Sequence, residues 1–172
     1  MNPDLDLRMQ SMLKALSDVI LPAIPAEQSL ARDQTKLVMG HLTVLAAHWK
    51  HALKYELESL RLACALAQEL AELEVAYDLR EELSAAVAQA AALDRSDYDE
   101  VSGAYRALKR IIDGVIAHDT RGASLPPALK NAVLRYSTVQ ARRERIWHRG
   151  AGLDPDLATL PSVLSLFNGD TC

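Results

Sequence analysis

Apolar residues along this chain recur at steps of three and four, the spacing that lines one face of an α-helix. After Asn2 and Pro3, a capping residue followed by proline at a first helical position, Leu5, Met9, Met12, Leu13, Leu16, Val19 and Ile20 keep this rhythm. Pro22 and Pro25 lack an amide donor and clash with the preceding turn, so the pattern predicts a helix to about Leu21 and then a short connector.

From Gln28 to Tyr77 no proline intervenes, and Val38, Leu42, Leu45, Trp49, Leu53, Leu57, Leu60, Cys64, Ala67 and Ala71 step by three or four throughout. Two consecutive steps of four, Trp49 to Leu53 to Leu57, shift this seam as a stutter does in a coiled coil, and one packing surface is expected to give way to another there. A single helix of this length would span roughly 75 Å, so the stretch should either kink or project beyond its neighbours. A break is expected at Ala76 to Asp78, where Asp78 and Glu81 have the spacing of a capping pair ahead of the stripe Leu79, Leu83, Ala86, Val87 and Ala90.

Ser96, followed by Asp97, Asp99 and Glu100, reads as the capped start of a helix whose inner stripe is Tyr98, Val101, Tyr105, Leu108, Ile112 and Val115, ending near His118 to Gly122. Pro126 and Pro127 open a last long helix with Leu129, Val133, Tyr136, Val139 and Ile146 on its inner face, closing at Gly150. The fold expected is all-α: an antiparallel bundle of four to five helices with one unusually long or kinked helix. Residues 1–150 form that single domain, and 151–172 form an apolar C-terminal tail, rich in leucine around Pro155 and Pro161, packed on the bundle or on a partner.

Composition agrees with this picture. The 172 residues are 49% hydrophobic but only 5% aromatic, with seven glycines, a mixture that favours helix over sheet. A net charge of -4 argues against a protein that lives on phosphate backbones, so nucleic acid is an unlikely partner. The first residues carry acids where a signal peptide carries positive charge, and nowhere do eighteen apolar residues run together, so neither secretion nor a membrane span is expected. Two cysteines, Cys64 within a helical pattern and Cys172, make no disulfide or zinc framework, which fits a reducing cytoplasm. The preference for alanine, and for arginine over lysine, points weakly to a bacterial source.

Three groups of residues stand out chemically. His41, His48 and His51 project within about 80° of one another on the long helix, on a flank about 120° from the seam and bordering the core, and Tyr55 and Glu58 continue that flank. His41, His48, His51, Tyr55 and Glu56 are therefore candidate ligand-binding residues. His48 and His51, one turn apart, with Glu58, are the candidate set for a divalent metal; no other cofactor is expected. Glu56 projects into the apolar stripe, where a carboxylate is costly unless an arginine meets it or the stutter rotates it outward, and where its pKa would rise. Third, Arg142, Arg143, Arg145, Trp147 and Arg149 form a basic run able to meet an anion or an acidic partner, or simply to complement a helix C-terminus.

Nucleophile elbows, phosphate loops and the Glu-x-x-His pairs of di-iron bundles are absent from the sequence. The functional expectation is an interaction or accessory protein that binds itself or another protein through the long helix and the apolar tail. The alternative is a small-molecule or metal-binding bundle, a possible enzyme, with a His/Glu/Tyr pocket between helices.

Overall fold

The computed structural model describes residues 4–73, 79–119, 126–152 and 154–167, with residues 118 and 119 described as backbone only. Among these the chain is all-α with no strand, and its helices fall into five runs. The first is α1 (Leu5–Ala15), continued by a π-helical turn over Leu16–Ile20 and a last turn, α2 (Leu21–Ala23). The second is a run of 44 residues made of α3 (Ser29–His48), a 3₁₀ turn at Trp49–His51 and α4 (Ala52–Glu72). Then come α5 (Arg80–Ala91), α6 (Tyr98–Asp119) and α7 (Pro127–Trp147), followed by three 3₁₀ turns, Arg149–Ala151, Leu157–Thr159 and Val163–Phe167. No described helix is long and apolar enough to cross a membrane.

Several boundaries differ from the expected ones for local reasons. Pro22 lies inside the first run rather than ending it. The amide of Leu21 bonds to the carbonyl of Leu16 five residues back, and this wider turn relieves the crowding that proline meets in a regular α-helix. The cap of α6 is Asp97, not Ser96: Asp97 Oδ1 accepts from the amides of Asp99 (2.8 Å) and Glu100 (3.0 Å), while the amide and hydroxyl of Ser96 both donate to Asp94 Oδ1. The seam shift after Trp49 takes physical form as the 3₁₀ turn. The expected Asn2–Pro3 cap, the break at Ala76 to Asp78, Gly122 and Cys172 lie outside the described residues.

The chain divides into two compact units, 1–50 with 144–172, and 51–143. In the unit 51–143, α4, α5 and α6 pack on one another around Leu60, Leu66, Leu70, Leu83, Val101, Leu108, Ile112 and Val115, joined by Leu129 and Ala132 of α7. The stripes predicted for α5 and α6 supply six of its thirteen buried residues, Leu83, Ala90, Val101, Leu108, Ile112 and Val115; Tyr98 departs from them and is exposed. In the other unit, α1 packs on α3, and the turn at Arg149–Ala151 also rests on α3, with Gly150 facing Val44. Arg32 Nη1 donates to the carbonyls of Leu21 (3.2 Å) and Ile24 (2.8 Å) at the end of the first helical run, where the Leu21 carbonyl also accepts from the Ile24 amide (3.4 Å). Asp6 accepts from Trp49 Nε1 at 2.8 Å and pairs with Lys50, which tie down the start of α1.

Candidate functional site

The densest buried polar group lies in the unit 51–143, where α4 carries Tyr55 and Ser59 one turn apart, both buried. Ser59 Oγ donates to the carbonyl of Tyr55 at 2.9 Å. Arg143 of α7 enters the same place. Its position follows from sequence spacing, since Ala132, Tyr136, Gln140 and Arg143 step by four, four and three along α7. The Arg143 side chain is only 5% exposed, and its Nη2 donates to the Tyr55 carbonyl (3.2 Å) and to Ser59 Oγ (3.4 Å). Its guanidinium carbon stands 4.8 Å from the centre of the Tyr55 ring, a cation–π contact. Arg143 Nε is shut off from solvent with no hydrogen-bond partner among the described residues.

Glu56 is the acid of this group. Its side chain is half-buried, but Oε2 is cut off from solvent and accepts no hydrogen bond from the described residues. Burial pushes its carboxyl above the usual 4.5, and the charges of Arg106 and Arg143 oppose that rise without cancelling it. Glu58 behaves in the opposite way: Arg61 donates to both its oxygens, at 2.8 and 2.7 Å, and holds it below the usual range, with a smaller contribution from the charge of Arg143. The group thus sets a carboxyl of raised pKa near a buried guanidinium. The Ser59 hydroxyl is engaged by backbone and arginine, so the arrangement positions charge.

The basic run does not form one patch. Arg142 is exposed, and Arg143 is buried against Tyr55. Arg145 is clamped by the chain's own tail, with Nε on Asp154 Oδ2 (2.8 Å) and Nη2 on Asp154 Oδ1 and Asp156 Oδ2 (2.9 Å each). This guanidinium holds the Asp154 carboxyl down at about 2, with further help from the Asp156 amide. Arg149 Nε donates to the carbonyl of Leu157. Trp147 stacks at 4.4 Å on His48 and meets Phe167 of the tail edge-on at 6.5 Å. The acidic partner of Arg145 is therefore internal, and the run fastens residues 154–167.

The three histidines occupy three different environments rather than one flank. His41 is exposed, His48 is 3% exposed with its ring 4.4 Å from that of Trp147, and His51, the last residue of the 3₁₀ turn, is half-buried. His41 and His48 both belong to α3, ahead of the turn, and differ in burial because Trp147 lies against His48. The 3₁₀ turn displaces only His51, since it advances about 120° per residue instead of 100°. Tyr55 and Glu56 do come together, in the arginine cluster just described. His48 belongs to one unit, and His51 and Glu58 to the other. Among the described residues no three His, Cys, Asp or Glu side chains gather to hold a metal ion.

A surface feature is more extended than either cluster. Leu30, Leu37, Val38 and Leu45 of α3 are all exposed, with Leu30 at 72%, and they share an arc of about 100° with Gln34 and His41. Leu5, Met12 and Val19 of the first run are exposed as well, at steps of seven. Leu30 and Leu37 fell before the seam as read from the sequence; the signal for them was the repeated interval of seven in Leu30 to Leu37 and Val38 to Leu45. No family model, no curated protein and no solved structure matches this chain.

Proposed function

We propose that the chain is a self-associating interaction protein, and that the unit made of residues 1–50 and 144–172 offers the exposed stripes of α1 and α3 to a second copy. The observation that carries this reading is an imbalance of apolar surface among the described residues. Of the buried apolar side chains, that unit holds four: Met9, Ile146, Leu160 and Leu166. Of the large apolar side chains left exposed, it holds ten: Leu5, Leu7, Met12, Val19, Ile20, Leu30, Leu37, Val38, Leu45 and Leu164. Soluble monomers rarely leave contiguous apolar surface of this kind uncovered.

Three features favour a second copy as the cover. The intervals of seven are those of helices that pack side by side through knobs and holes. Residues 1–50 carry five acids (Asp4, Asp6, Asp18, Glu27 and Asp33) and five bases (Arg8, Lys14, Arg32, Lys36 and Lys50), so two identical faces meet without net repulsion. The first run and α3 are each close to 30 Å long and about 10 Å wide, giving the two a face on the order of 600 Å². That approaches the ~800 Å² per partner of a stable dimer.

Sedimentation velocity at micromolar concentration tests the proposal, with Leu37→Glu as the disrupting variant. The side chain is exposed in the monomer, so the variant keeps its helical circular dichroism. The wild type is expected to sediment as a dimer and Leu37→Glu as a monomer. A wild type that stays monomeric throughout the micromolar range, or a variant that dimerises equally well, overturns the reading.

A further inference from the structure

A groove runs along the unit 51–143 between α4 and α5 and on to Arg95, with a volume of about 560 Å³. Small-molecule sites occupy roughly 300–1,000 Å³. The floor is aliphatic: Leu57, Leu60, Val87 and Ala90, with the thiol of Cys64 among them and no aromatic side chain in the lining. The rim is cationic, with Lys54, Arg61 and Arg95 against a single acid, Glu58. Arg61 and Glu58 neutralise one another through their paired bonds. Lys54 and Arg95 are both exposed and make no ion pair with any described carboxylate, which leaves two positive charges above an aliphatic floor.

We infer that this groove binds an aliphatic carboxylate, with the chain lying on Leu57, Leu60 and Val87 and the carboxylate at Lys54 and Arg95. Charge and shape both select this class. A neutral apolar ligand would leave the two cations unused, and a small hydrophilic anion would leave the floor uncovered. The lack of aromatic side chains removes the stacking that would favour a flat ring. Cys64 reports on occupancy, because a ligand on the floor covers its sulfur. Burial already pushes its thiol above the usual range, with Arg95 acting weakly in the other direction, so labelling of the free protein is slow but measurable. The inference concerns a different unit from the self-associating surface and does not rest on it.

The test is the rate at which an aromatic disulfide reagent labels Cys64 in the full chain carrying Cys172→Ser, which leaves Cys64 as its sole thiol. The probe is decanoate below its micelle concentration. At ten times its dissociation constant, decanoate should slow labelling about tenfold. Decanol, with the same chain and no charge, should protect far less, and so should inorganic phosphate. Lys54→Glu with Arg95→Glu should abolish protection by decanoate while leaving the helical signal intact. Should that pair fail to fold, Lys54→Gln alone carries the test through a several-fold weaker protection. No protection by decanoate, equal protection by decanol, or unchanged protection in the rim variants overturns the inference.

Discussion

Replacing Arg143 with methionine keeps most of the arginine's aliphatic stem and removes its charge. The change deletes the Nη2 bonds to the Tyr55 carbonyl (3.2 Å) and Ser59 Oγ (3.4 Å) and the cation 4.8 Å from the Tyr55 ring. Hydrogen bonds from charged donors contribute about 1.5–3 kcal/mol each, and these two are long, so together they contribute about 2 kcal/mol. The ring contact adds about 1 kcal/mol. Against these stands the desolvation of a guanidinium that is 5% exposed, which costs several kcal/mol and which methionine does not incur. Where Glu56 is protonated the opposing contributions nearly cancel, and the variant should lose less than about 1 kcal/mol.

Where Glu56 must ionise, the result differs, because only Arg106 then opposes the burial of its carboxylate. Stripping a partner from a fully buried charge costs about 3–5 kcal/mol, and for the half-buried Glu56 side chain about 2 kcal/mol is expected. The sign follows from its raised pKa. In the fold Glu56 holds a proton that the unfolded chain has released, so stability is greatest below the usual 4.5 and falls as pH rises through the folded value. Arg143→Met moves that folded value further up and deepens the fall. Urea unfolding followed by circular dichroism at about pH 4 and about pH 8 checks this in the wild type, Arg143→Met, Glu56→Gln and the double variant. Arg143→Met should lose about 2 kcal/mol more at the higher pH, and adding Glu56→Gln should restore that difference. An equal loss at both pH values, or a double variant no more stable at the higher pH than Arg143→Met, refutes the reasoning.

Two further outcomes concern the tail and its turn. The Asp154 carboxyl is held at about 2 against an ordinary 3.8, so its contribution is present above about pH 4 and is lost as pH falls through 2. Amide exchange across residues 157–160 should show that acid-dependent loss of protection in the wild type, whereas Asp154→Asn should lack protection there at neutral pH as well. Gly152 has φ +71°, the left-handed region, so Gly152→Ala should cost about 1 kcal/mol by thermal unfolding. Gly150→Ala, whose added Cβ would sit an ordinary 3.7 Å from Val44 Cγ2, should be close to neutral.

Helical periodicity read the core of the unit 51–143 well, because α4, α5 and α6 bury regular stripes against one another: Val101, Leu108, Ile112 and Val115 all lie inside. It misread α3. Val38 and Leu45 continue the same stripe but stay exposed, since periodicity says that a face is apolar and not whether anything in the same chain covers it. Glu56 was visible as a carboxylate on an apolar face, and an arginine does meet it electrostatically. Two arginines do so, Arg106 and Arg143, and the part of Arg143 was hidden by its neighbours, since a run containing Arg142, Arg145 and Arg149 reads as a basic surface. Only the step of three from Gln140 marked Arg143 as inward-facing. Contacts across 84 to 88 residues, such as Arg143 with Ser59 and Tyr55, depend on how helices pair and leave no local signal.

The two units use polar interactions to different ends. In the unit 51–143, polar side chains such as Ser59 and Arg143 are buried within a core that apolar packing already supports, so the charge cluster adds little to stability while fixing how α4 meets α7. In the other unit four apolar side chains are buried. The remaining order comes from Asp6 on Trp49 and Lys50, Arg32 on the carbonyls of the first run, and Arg145 on Asp154 and Asp156. Exposed ion pairs are screened by water and contribute too little to hold such a unit rigid by themselves. A second copy laid on α1 and α3 would supply the burial that this unit lacks, and its stability would then rise with protein concentration by mass action. Association would therefore tie the packing of α1 on α3 to protein concentration, and Leu37→Glu should loosen that packing as it separates the copies, while the helical circular dichroism and the core around Leu70 and Leu83 stay unchanged.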